Sequence, residues 1–95
     1  MADKVRIDKY LWSIRIFKSR TLATDACKEG KVKLHEENAK PSAMVTVGDI
    51  IDVVKDGFKL KYKVIQLIEK RVSPILAKPC YEDLTPEEEI NKYKS

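Results

Sequence analysis

The sequence predicts an α+β domain: two short N-terminal helices packed on a small, mostly antiparallel β-sheet, followed by an irregular acidic C-terminal tail. Three observations carry this. Between residues 7 and 30 apolar residues recur at helical spacing, and from Lys31 the period switches to strict alternation. Asp56-Gly57 then stands between two alternating runs, where a hairpin turn is wanted. At 95 residues the chain fits one small, compact domain. We place it at residues 1–72, with residues 73–95 as a partly irregular C-terminal extension.

Asp8 reads as the N-cap of the first helix, with Ile7 as its hydrophobic staple and Leu11 and Ile14 on the buried side. A break at Phe17-Lys18 follows. Ser19 reads as the N-cap of a second helix that places Leu22, Ala26 and Glu29 along one side, with Ala23 and Cys27 beside them. Gly30 stands where a left-handed C-cap belongs. Lys31-Val32-Lys33-Leu34 alternates as a half-buried strand does, whereas 35–42 is polar, contains Pro41 and reads as a loop. Val45 and Val47 form a short alternation, Gly48-Asp49 a turn, and Ile50 to Val54 a strand. Phe58 to Val64 is the cleanest strand, with lysines on one face, extended less regularly by Ile65, Leu67 and Ile68. Beyond Ser73, Pro74, Pro79 and Pro86 break any long element. Thr85-Pro86-Glu87-Glu88 begins a short helix with Thr85 as cap, but its apolar face is so slight that a frayed tail is expected.

The charged fraction, 36%, exceeds the average of about a quarter. Its distribution says more than the net +4. Residues 1–40 carry ten Lys and Arg against six Asp and Glu, residues 41–81 seven against four, and residues 82–95 two against five. An acidic tail therefore masks a body basic enough to suit a polyanion. Cys27 and Cys80 stand far apart and are expected as reduced, buried thiols. The charged start of the chain and the lack of a long apolar run point to a cytoplasmic protein with no membrane partner.

Arg6, Lys9, Arg15, Lys18, Arg20 and Lys28 interleave with the apolar positions of the helices and should emerge opposite the core. Ser19, Arg20 and Thr21 open the second helix, where unpaired amides and the positive end of the dipole favour a phosphate. Lys31 and Lys33 on the following strand would prolong that basic track. A merely solvated charged face explains the same pattern equally well on these grounds. Lys59, Lys61 and Lys63 read instead as a guard on an open strand edge. Tyr10, Trp12 and Phe17 are candidate base-stacking platforms; packing is preferred for Phe17. No catalytic set emerges. His35 has no metal-ligating neighbour in sequence, Ser19 has no adjacent base, and no glycine-rich nucleotide loop exists, so neither cofactor nor metal is expected and the chain reads as a non-enzyme.

Arg6-Ile7-Asp8-Lys9-Tyr10-Leu11-Trp12, Arg15, Lys18-Ser19-Arg20-Thr21-Leu22-Ala23, Gly30-Lys31-Val32, Lys40-Pro41-Ser42 and Val47-Gly48-Asp49 together resemble the S-four RNA-binding domain, the αL motif shared by ribosomal protein S-four and many RNA enzymes. The Leu-Trp after Lys-Tyr and the Lys-Pro-Ser look like the fifteen-kilodalton ribosome-associated heat-shock protein family. The resemblance covers residues 5 to about 54. It implies structured RNA held across the two helices and the following loop, with contacts at Arg6, Lys9, Arg15, Lys18, Ser19, Arg20, Thr21 and Lys31, and Lys40 and Ser42 from the loop. Lys28 and Lys33 join this set from their place on the basic track. Two departures stand out. His35-Glu36-Glu37-Asn38 replaces the family's Asn-Gly turn, and a segment of net −3 follows the sheet in place of a long basic extension.

For function the resemblance implies a bacterial, stress-linked binder of ribosomal RNA on the large ribosomal subunit, in particular free subunits carrying a stalled nascent chain on tRNA, with no small-molecule substrate. A monomer is expected. Three other readings remain open: a quality-control factor in nascent-chain tailing, a protein–protein adaptor with a solvated charged face, and an accessory to an RNA-modifying enzyme.

Overall fold

The structure is a computed structural model that describes residues 3–94. The chain runs β1 (Val5–Arg6), α1 (Ile7–Ser13), α2 (Arg20–Lys28), β2 (Val32–Leu34), β3 (Glu37–Asn38), β4 (Met44–Val45), β5 (Ile50–Lys55) and β6 (Phe58–Val64). It continues through α3 (Pro74–Ala77), a 3-10 turn, β7 (Tyr81–Asp83) and α4 (Glu87–Lys94). Strands β1 and β4 pair as a small antiparallel ribbon, and a five-stranded antiparallel sheet runs β3-β2-β5-β6-β7. The predicted α+β class holds.

Ile7, Tyr10, Leu11 and Ile14 of α1 are all but fully buried, the i, i+3, i+4, i+7 stripe of a core-facing helix. The start of α1 differs from expectation. Arg6, not Asp8, occupies the N-cap position and makes no side-chain cap. The Ile7 and Asp8 amides instead donate to the Ala43 and Pro41 carbonyls, at 2.7 and 3.5 Å. Relieved of capping, the Asp8 side chain turns inward and is 1% exposed.

Both helices end in the same way. The Ile16 amide donates to the Leu11 carbonyl and the Arg15 amide to Trp12, while Lys31 donates to Ala26 and Gly30 to Cys27. These are two Schellman motifs. Gly30 takes the left-handed residue of the second at φ +75°, as expected, but Arg15 takes that of the first at φ +69°. In α2 Ser19 accepts from the Leu22 amide at 3.1 Å, the expected cap. Ala23, Ala26 and Cys27 are buried, whereas Leu22 is half exposed. Small side chains at 23, 26 and 27 allow α2 to approach α1 closely, and Leu22 lies off that stripe.

In the 35–42 stretch, expected to be loop throughout, β3 pairs with β2 across His35-Glu36, a two-residue turn with φ +55° and +68°. The second hairpin matches expectation, with Asp56 and Gly57 at φ +53° and +82° between β5 and β6. Val32, Ile51, Val53, Leu60, Tyr62 and Val64 line the buried sheet face under the helices. The Ile65–Ile68 stretch lies beyond β6, which ends at Val64.

Strand β6 is not an edge, which corrects the reading of its lysines as edge guards. Strand β7 pairs with it, Tyr62 opposite Asp83 and Val64 opposite Tyr81. Past β7 the Thr85 hydroxyl accepts from the Lys61 amide and the Glu89 carboxylate from the Lys59 amide, both at 3.1 Å. Side chains thus complete the pairing that the short strand leaves unfinished. Thr85 is spent there rather than on capping α4, which begins at Glu87. Burial pushes the Tyr10 phenol far above its ordinary pKa, and the neutral hydroxyl donates to the Cys80 carbonyl at 2.7 Å. The same carbonyl accepts from the Ile65 and Gln66 amides. The C-terminal extension is therefore tied to α1 and to the end of β6.

Tyr10→Phe should cost about 1 kcal/mol, since Cys80 keeps two other donors. It should also speed amide exchange within residues 78–84 beyond the global change. Exchange no faster there than elsewhere would contradict the anchoring role.

Candidate nucleic-acid interface

The Asp8 carboxylate sits at the meeting point of α1 and α2. Arg6 forks onto it, Nε at 3.2 Å from Oδ1 and a terminal nitrogen at 3.1 Å from Oδ2. The Lys9 amide donates at 2.7 Å, the Thr24 hydroxyl at 2.9 Å, and the Arg20 guanidinium lies 3.7 Å away. Burial raises the pKa of this carboxyl, but the hydrogen bonds from Arg6, Thr24 and Lys9 and the Arg6 charge outweigh it and hold it below the usual aspartate range. Asp8 is thus an anion at neutral pH. Its two arginine partners stay 45% and 43% exposed. One buried charge holds the Arg6 fork and draws the Arg20 guanidinium beside it, and both stay open to solvent, an arrangement able to receive an anion.

The other sequence-predicted residues fall around this pair in three groups. Lys40 and Ser42 are exposed in the loop whose Pro41 and Ala43 carbonyls receive the first amides of α1, which brings that loop to the Arg6–Asp8 end of the helix. Lys9 is half-buried on α1 itself. Arg15, Lys18 and Thr21 are exposed along the α1–α2 connection and the first turn of α2, with Ser19 spent on its cap. Helix geometry leaves the Arg20 and Thr21 amides without an intrahelical acceptor.

Lys28, Lys31 and Lys33 lie further along. Lys28 is exposed in the last turn of α2, and Lys31 pairs with Glu29 at 3.1 Å. Lys33 stands opposite Asp52 on the outer sheet face and lines a groove shared with Lys31, Lys61, Glu36, Glu88 and Glu89. That groove is of mixed charge.

Of the aromatic candidates, Tyr10 is fully buried and Phe17 is 6% exposed, so neither can stack on a base; Trp12 is half-buried. Lys55 reaches the Ile16 carbonyl at 2.8 Å and lies 5.6 Å from the centre of the Phe17 ring, bracing the α1–α2 connection. Sequence reasoning missed the parts of Asp8, Thr24 and Lys55. A local signal existed for Asp8, an arginine two residues before it on a strand-to-helix corner, but none placed Arg20 beside it. Among the described residues no group of three or more His, Cys, Asp or Glu could hold a metal ion, and no helix is long and apolar enough to cross a membrane.

Comparison with known proteins supports the same part of the chain. The family model "S4 domain" matches residues 5–51. A relative from Halalkalibacterium halodurans named RQC P-site tRNA stabilizing factor is 34% identical over 88 residues, 93% of this chain and 98% of that protein. The chain belongs to the S4-domain family. A heat shock protein 15 homolog of Aeromonas salmonicida is 38% identical over 80 residues, 84% of this chain. The S4 chain spans only about six tenths of the length of the heat shock protein 15 homologs of Aeromonas salmonicida and Haemophilus influenzae. Vibrio cholerae heat shock protein 15, solved as a trimer, superimposes with a TM-score of 0.83 at 28% identity, covering 96% of this chain and 90% of that one. The Asp8-centred pair, the α1–α2 connection and the 40–43 loop all fall inside the matched S4 segment.

Asp8→Asn should destabilise the domain by roughly 1.5–3 kcal/mol at neutral pH, because charged hydrogen bonds become neutral ones. The folded pKa of Asp8 is depressed, so its stabilisation is present above the unfolded value near 4 and lost as pH falls through the folded value. Urea unfolding at pH 7 and pH 3 should show the gap between wild type and variant shrinking at the lower pH. A gap independent of pH would contradict an ionised Asp8.

Proposed function

We propose that this S4 protein is a non-catalytic, cytoplasmic RNA-binding factor that grips ribosomal RNA on the large ribosomal subunit through the α1–α2 side. The observation that carries the reading is the Arg6–Asp8–Arg20 cluster: two half-exposed guanidiniums fixed by one buried carboxylate. Lys9, Thr21, Lys40 and Ser42 lie by it, Arg15 and Lys18 continue the charge along the α1–α2 connection, Ser19 shapes the start of α2, and Lys28 and Lys31 extend the charge toward the sheet, whereas Lys33 stands apart on the outer sheet face. Helical RNA presents phosphates and 2′-hydroxyls rather than a readable major groove, so a surface rich in fixed cations suits recognition by shape. The heat-shock name of relatives fits a stress-linked role on the ribosome.

A second reading, contact with tRNA in the ribosomal P site, is favoured by the near-complete length match to factors named for stabilising that tRNA. Both readings use the same surface and differ in whether tRNA adds to the affinity. The monomer expected from the sequence has the trimer of the Vibrio cholerae relative as its alternative, and sedimentation equilibrium separates them.

Arg15 offers a test that separates binding from folding. Its left-handed backbone strains any residue other than glycine. Arg15→Gly relieves that strain but removes the hydrogen bond to the Val72 carbonyl, so stability should change by no more than about 1 kcal/mol in either direction. Affinity for purified large subunits should fall about tenfold, as for loss of one charged contact near 1.4 kcal/mol, and wild-type binding should weaken steeply as salt rises. Unchanged affinity in the variant, with binding indifferent to salt, would overturn the reading.

A further inference from the structure

The four arginines of the sequence fall into two pairs. Arg6 and Arg20 share Asp8. At the other end of α1, Arg15 reaches the segment that carries Arg71. The Val72 amide donates to the Ser13 carbonyl at 3.4 Å, and the Arg15 guanidinium donates to the Val72 carbonyl at 3.3 Å. These two bonds pin residues 71–72 beside the α1 C-terminus. Among the described residues no carboxylate lies within ion-pairing distance of Arg15 or Arg71.

Arg71 carries a further anomaly. Its Nε is sealed from solvent and has no hydrogen-bond partner, a state that buried donors of charged groups rarely occupy. The surrounding segment has no regular secondary structure, and Arg71 itself is half-buried. Lys70, beside it, is exposed.

We propose that Arg71, twenty residues beyond the segment that matches the S4 family, forms with Arg15 a second phosphodiester-binding pair for the RNA backbone at the C-terminal end of α1. Arg71 waits with its fork under-satisfied, and an incoming phosphate supplies the missing acceptor. The pair rests on the RNA-binding reading above. It adds a fixed contact at the opposite end of the helix from the Asp8 cluster, so the duplex is held at two places rather than one.

A purely structural Arg71, docked against the negative end of the α1 dipole, makes the opposite forecast. Removing it would then lower stability and leave binding intact. The test uses the full chain with purified large ribosomal subunits across a salt titration, comparing Arg71→Met, Arg71→Lys and, as control, Arg20→Gln. Arg71→Met keeps the aliphatic stem. It should melt no earlier than wild type, bind about tenfold more weakly and lower the salt slope by about one, with Arg71→Lys between the two. Weakening by Arg20→Gln but not by Arg71→Met would remove the second pair while leaving the first reading standing. Weakening by neither would remove both. Arginine modification of the wild-type protein needs no variant: Arg71 should be protected from phenylglyoxal on the subunit, and undiminished modification there would overturn the pair.

Discussion

The α1–α2 side of this domain depends on one buried negative charge. Asp8 is 1% exposed yet ionised, because Arg6, Thr24, the Lys9 amide and Arg20 surround it. Desolvating a carboxylate is expensive, and only a nearly complete shell of donors makes it tolerable. That shell reaches from β1 through α1 to two successive turns of α2. It fixes how the two helices meet, and in doing so it aims two guanidiniums outward. In the proposed reading folding and binding share the same atoms: the contact that locks α1 to α2 is also the one that would meet a phosphate.

The rest of the architecture holds this arrangement steady. The 41–43 stretch takes the first amides of α1, so the helix needs no side-chain cap and Asp8 is free to turn inward. Small residues on α2 let the helices close to a distance at which Arg20 reaches Asp8. On the far side, the Tyr10 hydroxyl, the Thr85 hydroxyl and the Glu89 carboxylate tie the acidic extension to α1 and β6. The acidic residues lie by the outer sheet face, where the groove they share with Lys31 and Lys33 is of mixed charge.

Much of this was legible in the sequence. The period change at Lys31, the Ser19 cap, the Gly30 terminus, the Asp56-Gly57 turn and the bounds of β6 all rest on local backbone preferences and were read correctly. What escaped was non-local. Asp8 looked like a cap because an acid before an apolar stripe usually is one, and nothing nearby announced that Pro41 and Ala43 would take that job. Strand β7 escaped because prolines broke the pattern and its partner lies some twenty residues back. Arg15 escaped as a helix terminus because its left-handed backbone defies the preference for glycine. For the site, the sequence showed which cations are present but not their grouping, which depends on Asp8 and on residues 71–72.

The most direct test is an electron cryomicroscopy map of the protein on the large ribosomal subunit. The α1–α2 side should lie against RNA phosphates, with Arg6 and Arg20 still on Asp8 and the 40–43 loop at the same contact. The outer sheet face bearing Lys61 and Lys63 should point away from the RNA. Docking through that sheet face, with the helix side open to solvent, would contradict it.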